Sequence, residues 1–190
     1  MLTNVIAILL GIGLSAACGF RVFVPLLAAN IAARFGLHQF GSGFEWMAST
    51  PALIIFASAT VLEIAAYYIP FVDNLLDHIT TPLAIGAGTL LTTSYLGTDF
   101  SPALKWGLGL IVGGSAAGIV QAGTGLLRLG SSATTAGIGN PVVSTTENIS
   151  SIGTSVLTIL FPVLGVVALL LVLFIAFRLM RFAEKRRRRE

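Results

Sequence analysis

The chain has 190 residues, 55% of them hydrophobic and 10% charged, with a mean hydropathy of +0.93. Soluble domains carry about 25% charged residues, and eleven basic with eight acidic side chains cannot cover the surface of one. The composition excludes a soluble globular enzyme, a disordered chain and a free nucleic-acid binder. It predicts an all-α integral membrane protein of five or six transmembrane helices with broken or re-entrant segments. Residues 1–182 read as a single transmembrane domain and 183–190 as a basic tail.

Seven of the eleven basic residues lie between Arg178 and Arg189. By the positive-inside rule the carboxyl end is expected in the cytoplasm, with a multi-pass chain in the cell inner membrane and anionic lipids against the tail. Nucleic acid is not expected as a partner. Cys18 is the one cysteine, so neither a disulfide framework nor a thiolate metal site is expected. Met1 to Asn4 carry no positive charge, which argues for a retained first segment and against a cleaved leader.

In chain order, an apolar run from Leu2 to Ala33 contains Arg21, Gly19 and Pro25. As one helix it would measure about 48 Å, too long for a hydrocarbon core of about 30 Å, so a break around Gly19–Pro25 is expected. The loop Gly36–Ser49 carries Trp46, a residue suited to a membrane interface. A second span is expected from Pro51 to Pro70, with Glu63 inside it. Val72, Leu75, Leu76 and Ile79 repeat at helical spacing, with Asp73 and Asp77 on the other side, which predicts a short amphipathic surface helix. A third span is expected from Thr81 to Leu96 with Pro82 at its start, and a fourth from Ala103 to Leu127. The polar stretch Gly130–Gly153 follows, then a last span from Ser155 to Phe177 with Pro162 inside. Five crossings put the amino terminus outside. A complete hairpin in the first run gives six and puts it inside.

Ser15-Ala16-Ala17 and Leu26-Leu27 recur one hundred residues later as Ser115-Ala116-Ala117 and Leu126-Leu127. With five crossings this faint repeat would be inverted, the arrangement in which many small transporters build a site from broken helices.

Three stretches carry a resemblance: Gly19-Phe20-Arg21-Val22-Phe23-Val24-Pro25, the run from Leu62 to Asp77, and Gly139-Asn140-Pro141-Val142-Val143-Ser144-Thr145-Thr146-Glu147. Together they resemble a family of bacterial membrane proteins known as domain of unknown function 4126, over roughly residues 5 to 180. The resemblance implies a family and no activity, so no catalytic role comes with it.

Ionisable groups inside a bilayer cost at least about 2.5–3.5 kcal/mol at a helix centre and normally face a partner or a cavity. Arg21 and Glu63 are the two that hydropathy places within spans, and a buried Arg21–Glu63 pair is the simplest account. Such a pair either serves a substrate, ion or proton or only fixes helix register. Asp73, Asp77 and His78 could bind a divalent cation or relay protons, but a solvated helix face is the plainer reading. No second histidine or cysteine lies at zinc-ligand spacing, and no metal or other cofactor is expected. Gly137–Glu147, with Asn140, Ser144, Thr145 and Glu147, is expected to be an ordered re-entrant element whose amides or carbonyls face an ion. Gln121 is a further polar candidate in the fourth span.

No Gly-x-Ser-x-Gly, phosphate loop or paired histidines appear, so an enzyme is not expected. The expected function is that of a small transporter or channel-like protein for an ion or small solute, working as a homo-oligomer in which a second copy shields the glycine-rich face of the fourth span. Arg21, Glu63 and Asn140–Glu147 would line the path. The alternative is a non-transporting scaffold or assembly factor, which needs only a packed core with its charges paired.

Overall fold

The computed structural model describes residues 2–69, 72–97, 99–167, 170, 174 and 178. Among these the regular structure is helical, with no strand. α1 (Leu2–Cys18) stops at Gly19, and α2 (Phe23–Arg34) starts after a four-residue break. The break falls where chain length demanded one. A Cβ on Gly19 would stand 2.5 Å from the Ala117 carbonyl oxygen, so only glycine lets the chain cross the neighbouring helix there.

A loop with a short 3-10 turn at Glu45–Ala48 leads to α3 (Thr50–Ala66). Ser49 caps α3 through Oγ, which accepts from Ala52 N at 3.2 Å, and Pro51 sits in the first turn. α4 (Val72–Tyr95) is a single helix with Pro82 inside it. The expected short surface helix is therefore the first turns of the expected third span, and the chain does not stop before the proline. Asp73 is buried rather than solvated.

α5 (Pro102–Leu108), a π-helical stretch (Gly109–Gly114) and α6 (Ser115–Thr135) run on as one 34-residue helix, long and apolar enough to cross a membrane. At about 1.5 Å per residue it measures roughly 51 Å. α7 (Asn140–Leu160) follows a tight turn in which Ala136 and Gly137 take φ of 52° and 86°. The expected polar stretch Gly130–Gly153 is thus the end of α6, this turn and the first two-thirds of α7. Phe161, with φ −140° and ψ 79°, interrupts the helix ahead of Pro162, as the residue before a proline tends to. Residues 162–167 are helical again. The basic tail expected at 183–190 lies outside the described residues.

Contacts fix the directions. Gly11 meets Thr92 and Ser15 meets Gly88, so α1 runs against α4; Gly109 meets Thr93 and Gly113 meets Gly88, so the long helix also runs against α4. α2 runs against α3, since its start binds Glu63 and Asn30 binds Met47. α1 runs against α7, through Ser151 on the Ala17 carbonyl and Thr158 at Gly13. Arg21 binds Ser144 and Asn148 while His38 binds Ile159, so α2 runs with α7 and against α1. From α1 to α7 the chain therefore makes six passes along the bundle, the first run being a hairpin; beyond Phe161 it turns back, a Cβ on Gly165 falling 2.7 Å from Thr158 Cα. α1 and the long helix run in the same direction, which overturns the inverted repeat expected from the Ser-Ala-Ala matches.

Gly109, Gly113, Gly114 and Gly118 of the fourth span are taken up within the chain by α4. A Cβ on Gly88 would lie 2.7 Å from the Gly113 carbonyl oxygen and 2.8 Å from Ala117 Cβ, a small-residue contact that lets backbones approach closely. The face expected to call for a second copy is filled by α4.

Outside, the bundle is apolar: Ile55, Val61 and Leu62 on α3, Ile111, Ile119 and Leu127 on the long helix, and Val142, Ile149 and Val156 on α7 are exposed. Inside, buried serine, threonine, amide and charged side chains are nearly as numerous as buried apolar ones. α7 shows the inversion most plainly. Asn140, Ser144, Glu147, Ser151, Ser155 and Thr158 form its buried face.

A buried cluster joining two arginines

Five segments reach one end of the bundle: the α1–α2 break, the end of α3, the start of α4, the second half of α6 and the start of α7. Each delivers a polar group to the same place.

Arg21, on the break, is 1% exposed and Arg128, on α6, is 2% exposed. Both guanidinium carbons stand over the Tyr67 ring, at 3.9 and 4.1 Å from its centroid, within range of cation–π attraction. Glu147 joins them. Its Oε2 lies 3.1 Å from Arg21 Nη1 and also accepts a short hydrogen bond from Arg128 Nη2. Arg128 Nη1 lies 3.3 Å from Asp77 Oδ1. Arg21 donates through Nε to Asn148 Oδ1 at 2.5 Å and through Nη2 to the Ser144 carbonyl at 3.2 Å.

The tyrosine hydroxyl is tied in as well, 3.2 Å from Asp77 Oδ1 and 2.9 Å from Thr80 Oγ1. Gln121 Nε2 donates to Thr80 Oγ1 at 3.2 Å, and Ser144 Oγ donates to the Tyr67 carbonyl at 3.3 Å. At the edge, Asn140 Nδ2 donates to Asp73 Oδ2 at 2.7 Å, and Thr145 Oγ1 lies 2.9 Å from the Tyr68 hydroxyl.

The structure thus brings Arg21, Asp73, Asp77, Gln121, Asn140, Ser144 and Glu147 into one network, with exposed Thr145 at its rim. It does not make the expected Arg21–Glu63 pair. Glu63 Oε1 and Oε2 accept the Val22 and Phe23 amides at 2.8 and 3.0 Å. The carboxylate caps α2 across a helix interface, where orphan amides and the positive end of the helix dipole favour an anion. Arg21 takes Glu147 instead. Arg128 and Tyr67 complete the site without having been singled out. Arg128 follows Leu127 at the end of an apolar run and reads as a flanking charge, while Tyr67 lies inside the distinctive Leu62–Asp77 stretch.

His78 is exposed, and no group of three or more histidine, cysteine or acidic side chains among the described residues is placed to hold a metal. A cleft of about 630 Å³ opens at the other end of the bundle, lined by Phe44, Trp46, Phe100, Lys105 and Trp106, and no cluster residue contributes to it.

Fold and site define a class: a helical bundle of six passes, apolar outside, organised around a buried ion-pair network. The chain belongs to the family described as Domain of unknown function (DUF4126), whose model matches residues 8–182. No curated protein and no solved structure matches it.

Proposed function

We propose that the protein is a multi-pass inner-membrane protein that moves an ion or small solute across the bilayer, with the Arg21–Glu147–Arg128 cluster near the outer end of its route. One observation carries this reading: a network of ionised side chains is buried inside a shell of exposed apolar ones. Burying charge is costly, and a buried ion pair returns little net stability against a hydrophobic substitute. A polar seam supports the route. Below Glu147, α7 continues its buried face with Ser151, Ser155 and Thr158, and the last two hydroxyls have no hydrogen-bond partner.

The six passes put the start of α1 and the end of α7 at the same end of the bundle. By the positive-inside rule that end, which carries Arg34 and Lys105, is taken as cytoplasmic and the cluster as outer, with Arg128 the exception. Arg128 is neutralised by Glu147 and Asp77.

The test is flux. Protein reconstituted in liposomes should carry at least one member of a panel of ions and small anions above empty liposomes, and Arg21→Gln should lower that flux. The paired charges and the remote cleft also suit a scaffold. A folded protein that carries nothing across the panel leaves the scaffold reading in place of transport.

A further inference from the structure

Glu147 stands where an anion would. Two guanidiniums from different elements converge on a single carboxylate oxygen, Oε2, while Oε1 is buried without a hydrogen-bond partner and so is Arg128 Nε. Two guanidiniums offer about ten N–H donors in planar forks, and one carboxylate oxygen cannot use them. A tetrahedral phosphate group, with its several oxygens, matches paired forks far better.

Charge sets the condition for exchange. Arg21 and Arg128 balance Glu147 and Asp77, so an anion enters at no net cost in charge only if one carboxylate takes up a proton. The charged groups that act on Glu147 are Arg21 from the break, Arg128 from α6 and Asp77 from α4, with the Tyr67 ring of α3 under both arginines. Glu63 is held by two amides, Asp73 by Asn140, and Asp77 by Arg128 and Tyr67. Glu147 Oε1 is buried without a hydrogen-bond partner, so it can receive a proton without displacing a donor. Asp77, with 23% of its side chain exposed, marks the approach to Arg128 from outside.

Building on the transport reading, we propose that Arg21 and Arg128 form a binding site for a phosphate-type oxyanion, with Glu147 as its built-in competitor. Protonated Glu147 releases the arginines, so one proton accompanies each monoanion bound. The phosphate belongs either to a free solute or to a lipid headgroup.

Binding is measured by calorimetry on the full chain in phosphatidylcholine nanodiscs, titrated with dimethyl phosphate, whose charge is the same at pH 5.5 and 7.5. Tenfold or tighter binding is expected at pH 5.5. Glu147→Gln, which mimics the protonated acid, should bind tightly at both pH values, and Arg128→Gln should bind at neither. Nanodiscs containing phosphatidylglycerol form the second arm. Stabilisation there at pH 5.5, without binding of the free ester, assigns the site to a lipid. Equal wild-type affinity at the two pH values, or no binding in either arm, overturns the proposal, and the wild-type ratio decides it even if Glu147→Gln fails to fold. Binding without flux of the bound ester defeats the transport reading and leaves this one standing. Flux indifferent to pH and to Glu147→Gln does the reverse.

Discussion

Glu147→Ala removes the one carboxylate that both arginines share. Arg128 keeps Asp77 at 3.3 Å, but Arg21 is left with the Asn148 amide oxygen, the Ser144 carbonyl and the Tyr67 ring, at 1% exposure and without an ionised partner. Breaking a buried pair from one side costs about 3–5 kcal/mol. The two charge-assisted hydrogen bonds lost, at about 1.5–3 kcal/mol each, lead to the same range. A loss near 4 kcal/mol corresponds to roughly 8–16 °C in melting temperature for a chain of this size. Arg21→Met should cost a similar amount, and the double variant should recover about 2 kcal/mol or more of the summed loss, because it removes the stranded charge with its partner. The matching cycle on Arg21 and Glu63 should show coupling below about 1 kcal/mol, since those side chains bind different groups. Thermal unfolding of the purified variants in one detergent gives both cycles. Strong coupling for Arg21–Glu63 with additive losses for Arg21–Glu147 would refute the assignment of partners.

Further outcomes follow from particular contacts. Glu63→Ala should cost about 2–4 kcal/mol by uncapping α2, and Glu63→Gln distinctly less because one acceptor oxygen remains; equal losses in melting experiments would speak against a cap. Tyr67→Phe keeps the ring beneath both guanidiniums and should lose about 1 kcal/mol with the hydroxyl, whereas Tyr67→Leu should lose at least about 1 kcal/mol more; a Phe variant no better than Leu would argue against stacking. Gly88→Leu should destabilise strongly, its Cβ alone falling 2.7 Å from the Gly113 carbonyl oxygen, while Gly123→Ala, with open space around it, should be neutral or gain up to about 1 kcal/mol. In a Cys18→Ala background, an impermeant thiol reagent on intact cells should label Thr134→Cys, beside the α6–α7 turn, and spare Ser42→Cys at the opposite end. The opposite pattern would invert the proposed orientation.

The break after Cys18 was legible because length alone forbade an unbroken helix, and Pro51 marked the start of α3 to within a residue. Partnering was not legible. Hydropathy averages over a window, so a helix with a polar buried face reads as a re-entrant element between spans, and Glu147, which lies on the continuous helix α7, falls outside the spans. The signal was present in the spacing: Asn140, Ser144, Glu147, Ser151, Ser155 and Thr158 recur every three or four residues, with Val142, Ile149 and Val156 between them. Arg128 was harder, since a charge after an apolar run marks a helix end far more often than a core residue. The stacking of two arginines on Tyr67 depends on how three segments meet, which no local pattern in a single sequence records.

Two kinds of contact hold this bundle, and they are unevenly shared among its helices. α1, α4 and the long helix meet through glycine, alanine and threonine at close approach, as at Gly88, Gly113 and Ala117. Such contacts depend on close fit of small side chains and backbone. They are indifferent to protons and anions. α7 is held differently. Its links to the break, to α3, to α4 and to α6 run through Glu147, Asn148, Ser144 and Asn140, and those to α1 include Ser151 on a backbone carbonyl. Those bonds respond to protonation and to any ion that competes for the arginines. On the proposed exchange, a proton or anion at the cluster would act on the seating of α7 and on the Arg128–Asp77 link between the long helix and α4, while the close glycine contacts further along those helices stay as they are. On the proposed exchange the polar face of α7 is what would couple its seating to a proton or an anion; an apolar face could pack there without that response.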